Sequence, residues 1–148
     1  MLKNFVTISL SCLFIIFLSS CEKDPASEAN PGGTSLYALE GAPSSCSAPV
    51  IAGIYRVGIT MSSANTITIS VNVSKKGTYA INTTSANGVW FSGSGTFTAT
   101  GIQTVVLTGS GTPARAGNFA FVPVTNNTCN FNISFSAGGP PAVFTYAG

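Results

Sequence analysis

The chain has 148 residues, 45% of them hydrophobic and only 7% charged, with a net charge of +2 and no histidine. That length suits one domain of ordinary size with a real core. So little charge excludes a helical bundle, whose surface would be rich in Glu and Lys, and the lack of a basic stripe excludes nucleic acid as a partner.

Lys3 and the amino terminus make a short positive region. Phe5 to Leu18 is then an apolar run of fourteen residues. It is too short to cross a bilayer comfortably and matches the hydrophobic part of a signal peptide. Leu18-Ser19-Ser20-Cys21 follows: an aliphatic residue, two small residues and a cysteine. This resembles the lipobox of bacterial lipoproteins. The resemblance implies that residues 1–20 are removed, Cys12 among them, and that Cys21 carries the lipid. Two or three acyl chains on one residue hold a protein stably on a membrane. The plain alternatives are an ordinary secretory signal or a short membrane helix. Glu22-Lys23-Asp24 resembles the surface-export signals of Bacteroidota lipoproteins and implies an outer-membrane, surface-exposed location; the alternative is a polar tether. Residues 21–34 form the lipidated cysteine and a linker rich in Pro, Gly and polar residues. Its thirteen residues after Cys21 have a reach of roughly 20 Å.

From Ser35 the hydrophobic period is two. Thr66 to Val73 places Ile67, Ile69, Val71 and Val73 on one face and Thr66, Thr68, Ser70 and Asn72 on the other. That is a strand with one buried and one wet face. The same alternation pairs Tyr79 with Ile81, Val89 with Phe91, Phe97 with Ala99, Val105 with Leu107 and Phe119 with Phe121. Cys129 to Phe135 alternates most cleanly. Turn signals fall between the runs: Lys75-Lys76-Gly77, Asn87-Gly88, Gly93-Ser94-Gly95, Gly101, Gly109 to Pro113, Ala116-Gly117-Asn118 and Asn126-Asn127. Asn-Gly is the strongest, because a type I′ turn needs positive φ at both central residues. The lysine pair reads as a hairpin tip. Seven or more short strands at this spacing predict an all-β, antiparallel β-sandwich over residues 35–141.

Cys46 and Cys129 remain in the mature domain. An oxidising compartment makes their pairing the default. Free thiols or a metal site are the alternatives, but two cysteines without histidine cannot complete a zinc shell. The last seven residues, Ala142 to Gly148, loosely echo Ser35 to Gly41. They read either as a closing strand or as the start of a truncated second repeat; repeats would make arrays that bind or space rather than catalyse.

The stretches "CSAPVIAGIYRVGITMSSANTITISVNV" and "GTYAINTTSANGVWFSGSGTFTATGIQTVVLTGSGTPARAGNFAF", with the late Cys129, resemble an uncharacterised and often tandem domain of Bacteroidota lipoproteins. The likeness implies an immunoglobulin-like sandwich with neighbouring repeats as partners. It carries no catalytic or binding residues across.

Chemistry is sparse. The acids are Glu22, Asp24, Glu28 and Glu40, all in or beside the linker. That closes the two-carboxylate route to glycoside hydrolysis, and without histidine there is no Ser-His-Asp or Cys-His arrangement. The expectation is a protein that is not an enzyme and holds no metal or cofactor. Trp90 lies between inward-facing Val89 and Phe91, so it should point outward, where it can stack on a sugar or anchor a surface protein; packing over a sheet face is the alternative. Tyr55 with Arg56 is a weaker ligand-contact candidate. The sequence thus predicts a lipid-anchored envelope protein displaying an immunoglobulin-like domain for adhesion, spacing or partner binding. Its alternative is a carbohydrate-binding surface lipoprotein using Trp90.

Overall fold

The computed structural model describes residues 33–139. Cys21, most of the linker and the echo at 142–148 lie outside the described residues. Eight strands and no helix make up the described chain: β1 (Leu36–Leu39), β2 (Val50–Ala52), β3 (Thr66–Lys75), β4 (Gly77–Asn82), β5 (Val89–Phe97), β6 (Gly101–Gly111), β7 (Gly117–Phe121) and β8 (Phe131–Phe135).

Alternation sets the register. Ile67, Ile69, Val71 and Val73 of β3 are buried, while the intervening Thr66, Thr68, Ser70 and Asn72 keep partial or full exposure. β6 runs antiparallel along β3, with Thr66 opposite Thr108 and Val73 opposite Gly101. That register brings Val105 and Leu107 against Ile69 and Ile67, and a slip of one residue would turn both sets to water.

The larger sheet has the order β1-β3-β6-β5-β4, with β2 also on β3. β5 changes partner midway: Val89 to Ser92 pair with β6, and Ser92 to Phe97 pair with β4. Gly93 sits at the change. A Cβ there would lie 2.4 Å from the Val106 carbonyl oxygen, so only glycine lets the two backbones approach. The sheet curls at this point. Beyond β4, the Thr84 N–H donates to the Val122 oxygen at 2.9 Å and the Val124 N–H to the Asn82 oxygen at 2.7 Å. This joins the curled sheet to β7, which pairs antiparallel with β8. The result is an antiparallel β-sandwich of immunoglobulin-like connectivity.

Aromatic rings and aliphatic chains share the space between the layers. Phe91 meets Phe121 edge to face at 5.1 Å and Phe131 at 5.9 Å. Tyr55 stands edge-on to Phe135 at 5.8 Å. Phe91 and Phe121 are fully buried. Each such ring removes 150–250 Å² from water.

The first segment weaves between the layers. The Ser35 N–H donates to the Thr78 oxygen of β4, and β1 then lies on β3, with Leu39 opposite Val71. Ser45 pairs in parallel with Asn130, beside β8. β2 returns to β3, with Val50 opposite Thr68. Arg56 finally pairs in parallel with Ser136, just past β8. The expected disulfide between Cys46 and Cys129 pins the first crossing, with Cα atoms 4.9 Å apart and both cysteines buried.

Three expectations need correction. Lys75-Lys76-Gly77 is not a hairpin tip. β3 and β4 do not pair with each other; the chain turns a corner there under Gly33, whose oxygen would sit 2.4 Å from a Cβ on Gly77. Gly93-Ser94-Gly95 and Gly109-Ser110-Gly111 lie inside β5 and β6 rather than in turns. A Cβ on Gly95 would meet the Tyr79 hydroxyl at 2.8 Å, and one on Gly109 the Phe91 ring at 2.9 Å, so these glycines make room for rings. Ala99 lies past the end of β5 and is exposed. Asn87-Gly88 does form its two-residue turn, with φ of 53° and 76°.

Replacing both disulfide cysteines with alanine should lower stability by about 4 to 5 kcal/mol, the chain-entropy value for a loop of this size, whose ends are 83 residues apart. Urea denaturation of the two proteins measures the difference.

Candidate functional site

The Asn87-Gly88 turn places Trp90. Ala86 and Val89 exchange both backbone hydrogen bonds across it at 2.9 Å. Val89 and Phe91 therefore point inward and Trp90 outward, opposite Ser110 on β6. Thr83 fixes the neighbouring residue: its Oγ1 accepts from the Phe91 N–H at 2.9 Å, and its own N–H donates to the Phe91 oxygen at 2.9 Å. Asn87 also clasps the next loop. Its Oδ1 accepts from the Ala114 and Arg115 N–H groups, and its Nδ2 donates to the Arg115 oxygen at 2.9 Å.

Trp90 is 44% exposed. Its ring leans over Gly111, where a Cβ would stand 3.2 Å from Cζ3. A hollow of about 370 Å³ lies on the β4–β5 surface, lined by Ala80, Asn82, Ser92, Gly93 and Ser94. Ser92 is two residues from Trp90 and shares its face, but the indole does not line the hollow and leans towards β6. Among the described residues no second ring pairs with it. The site is thus one half-exposed indole beside a shallow, uncharged depression floored by small side chains.

Tyr55 is not available for a ligand. It is buried, its hydroxyl donates to the Ala52 oxygen at 2.9 Å and lies 3.3 Å from the Thr66 oxygen, and its ring packs on Phe135. Neighbours in an extended segment point opposite ways, so Tyr55 turns inward and Arg56 outward. Arg56 is exposed, with Nη2 3.2 Å from a Cβ position on Gly139. Trp90, Tyr55 and Arg56 do not form one surface site.

Ser35, Asn65 and Thr83 are buried polar residues that alternation does not reveal, and the last two shape the loops around the site. Asn65 accepts from the Ser62 N–H at 2.9 Å and donates to the Ile54 oxygen at 2.8 Å, closing the loop before β3. Thr83 holds β5, as described. Both look like ordinary wet-face residues in a chain full of Asn and Thr. Among the described residues no group of three or more His, Cys, Asp or Glu side chains could hold a metal ion.

The chain's path through the domain is polar in the geometric sense. β1 begins beside the end of β3, with Leu36 opposite Lys75. The segment after β8 lies beside the start of β3: the Ser136 N–H donates to the Tyr55 oxygen at 3.0 Å, and the Tyr55 hydroxyl lies near the Thr66 oxygen. The described chain therefore arrives at an upper pole and leaves at the lower one. Comparison with family models, with curated proteins and with solved structures finds no match to this chain.

Burial pushes the Tyr55 hydroxyl pKa up from 10.0 to about 12. The folded state thus holds this proton more tightly than the unfolded state does. Stability from this group is complete below pH 10 and is lost as pH rises towards 12. A Tyr55→Phe variant should be less stable at neutral pH by about 1 kcal/mol, yet lose less stability between pH 10 and 12. Denaturation midpoints across that range test both signs. Tyr37, whose pKa burial and nearby Tyr79 also raise, leaves a residual alkaline slope in the variant.

Proposed function

We propose that the chain is a non-catalytic, lipid-anchored module of the cell envelope, held at Cys21 and displayed at the outer-membrane surface for spacing, adhesion or partner binding. The observation that carries this reading is the pole-to-pole path. A module that takes in the chain at one end and releases it at the other adds its length to whatever follows. β3 has ten residues, which span about 33 Å at strand rise. With the linker's reach of roughly 20 Å, the lower pole stands well clear of a membrane holding Cys21. Such a module suits tandem copies, and the echo of Ser35 to Gly41 at 142–148 fits that use.

Carbohydrate binding is the second reading, favoured by the half-exposed indole of Trp90 on an uncharged face beside the Asn82 and Ser92 hollow. One aromatic platform with small polar neighbours suits weak contact with a neutral sugar face.

Palmitate labelling of the expressed chain should be lost in a Cys21→Ala variant; unchanged labelling sinks the anchor. For the second reading, neutral oligosaccharides should shift the fluorescence of the single tryptophan, and Trp90→Ala should abolish glycan-array signal without lowering the unfolding free energy by more than about 1 kcal/mol. A flat fluorescence titration removes it.

A further inference from the structure

We propose that the Cys46–Cys129 disulfide is a tension bypass: a pull between the two poles runs through β1, across the sulfur bond and out through β8, and cannot stretch residues 47–128 from end to end. The placement of the two cysteines makes the path short. Cys46 follows β1, and Cys129 precedes β8 by two residues. The loop between them holds six of the eight strands, including the whole of the long β3–β6 pair.

Both strands outside the loop lie along the direction of pull. β1 pairs with β3 from Leu36 to Leu39, and β8 pairs with β7 from Phe131 to Phe135. Tension between the poles therefore loads their hydrogen bonds in shear, many at once, rather than opening them one by one. Inside the bond, residues 47–128 feel no net stretch while it is intact. The bypass belongs to the fold and holds whether or not Cys21 is anchored; its use as a load path in the cell rests on the spacer reading above.

The bond is also shielded. Cys46 is 5% exposed and Cys129 2% exposed, so an attacking thiolate reaches the sulfurs only after β1 or β8 has been drawn away. A small dithiol then completes the exchange. One of its thiolates attacks a cysteine sulfur, breaking the S–S bond and forming a mixed disulfide. Its second thiolate displaces that cysteine, leaving the dithiol oxidised and Cys46 and Cys129 as two thiols. Tension and a reductant together would thus release a length that neither releases alone.

Single-molecule pulling on the full chain, held by peptide tags at its two ends, tests this. Gly33 to Cys46 and Cys129 to Gly139 together make about 23 peptide steps, at most about 80 Å extended. The oxidised domain should give a first release no longer than that and then hold. With dithiothreitol in the buffer a second step of about 300 Å should follow at the same force, because the bond spans 83 residues. The reduced protein need not fold for this measurement, since reduction occurs on the stretched molecule. The absence of a second step in dithiothreitol overturns the bypass. A single combined release whenever dithiothreitol is present overturns the shielding.

Discussion

The sandwich depends on how residues 34 to 57 cross between its layers. Two layers held by side-chain contact alone can part along an open flank. Here one segment hydrogen-bonds to β4, then β3, then the start of β8, then β3 again, and finally the end of β8. Each crossing closes that flank further, and the disulfide fixes the first of them. The segment contains only two short strands, because it never stays on one layer for long.

The core follows from this closure. With the flank shut, β5 and β6 face β8 across a space filled by phenylalanine rings together with aliphatic chains such as Leu107 and Ile133. Phe91 touches Phe121 and Phe131, so it links three strands from both layers. The polar groups drawn inside, Ser35, Asn65 and Thr83, are each hydrogen-bonded. No buried side-chain nitrogen or oxygen lacks a partner among the described residues, as a dry aromatic interior requires.

Much of this was legible in the sequence, and the misses share a cause. The inward residues of β3, β5 and β8 follow from strict alternation, and the Asn87-Gly88 turn follows from its need for positive φ. The disulfide follows from the expectation of an oxidising compartment and from the inward phase of Cys129. Glycine was the ambiguous letter. Gly93, Gly95 and Gly109 read as turns because glycine usually marks them, but each serves a close approach by backbone or ring from a distant part of the chain. Local pattern contains no information about such visitors. Tyr55 was missed in the same way: its segment is too irregular to show a period, and only the arrival of β8 decides that its ring faces Phe135. Alternation turns Trp90 outward, as the structure has it, yet its lean over Gly111 depends on a glycine two strands' worth of sequence away. The site is therefore half legible: orientation could be read, neighbourhood could not.

The scarcity of ionisable groups has a consequence for the folded state. Among the described residues Glu40 is the one carboxylate side chain, and the chain has no histidine. Acid denaturation proceeds chiefly by proton uptake on native carboxylates and buried imidazoles, and this sandwich offers almost nothing to protonate. Its hydroxyl-covered surface keeps the same hydration whatever the acidity, and its fold is insulated from acid by composition rather than by any added bond.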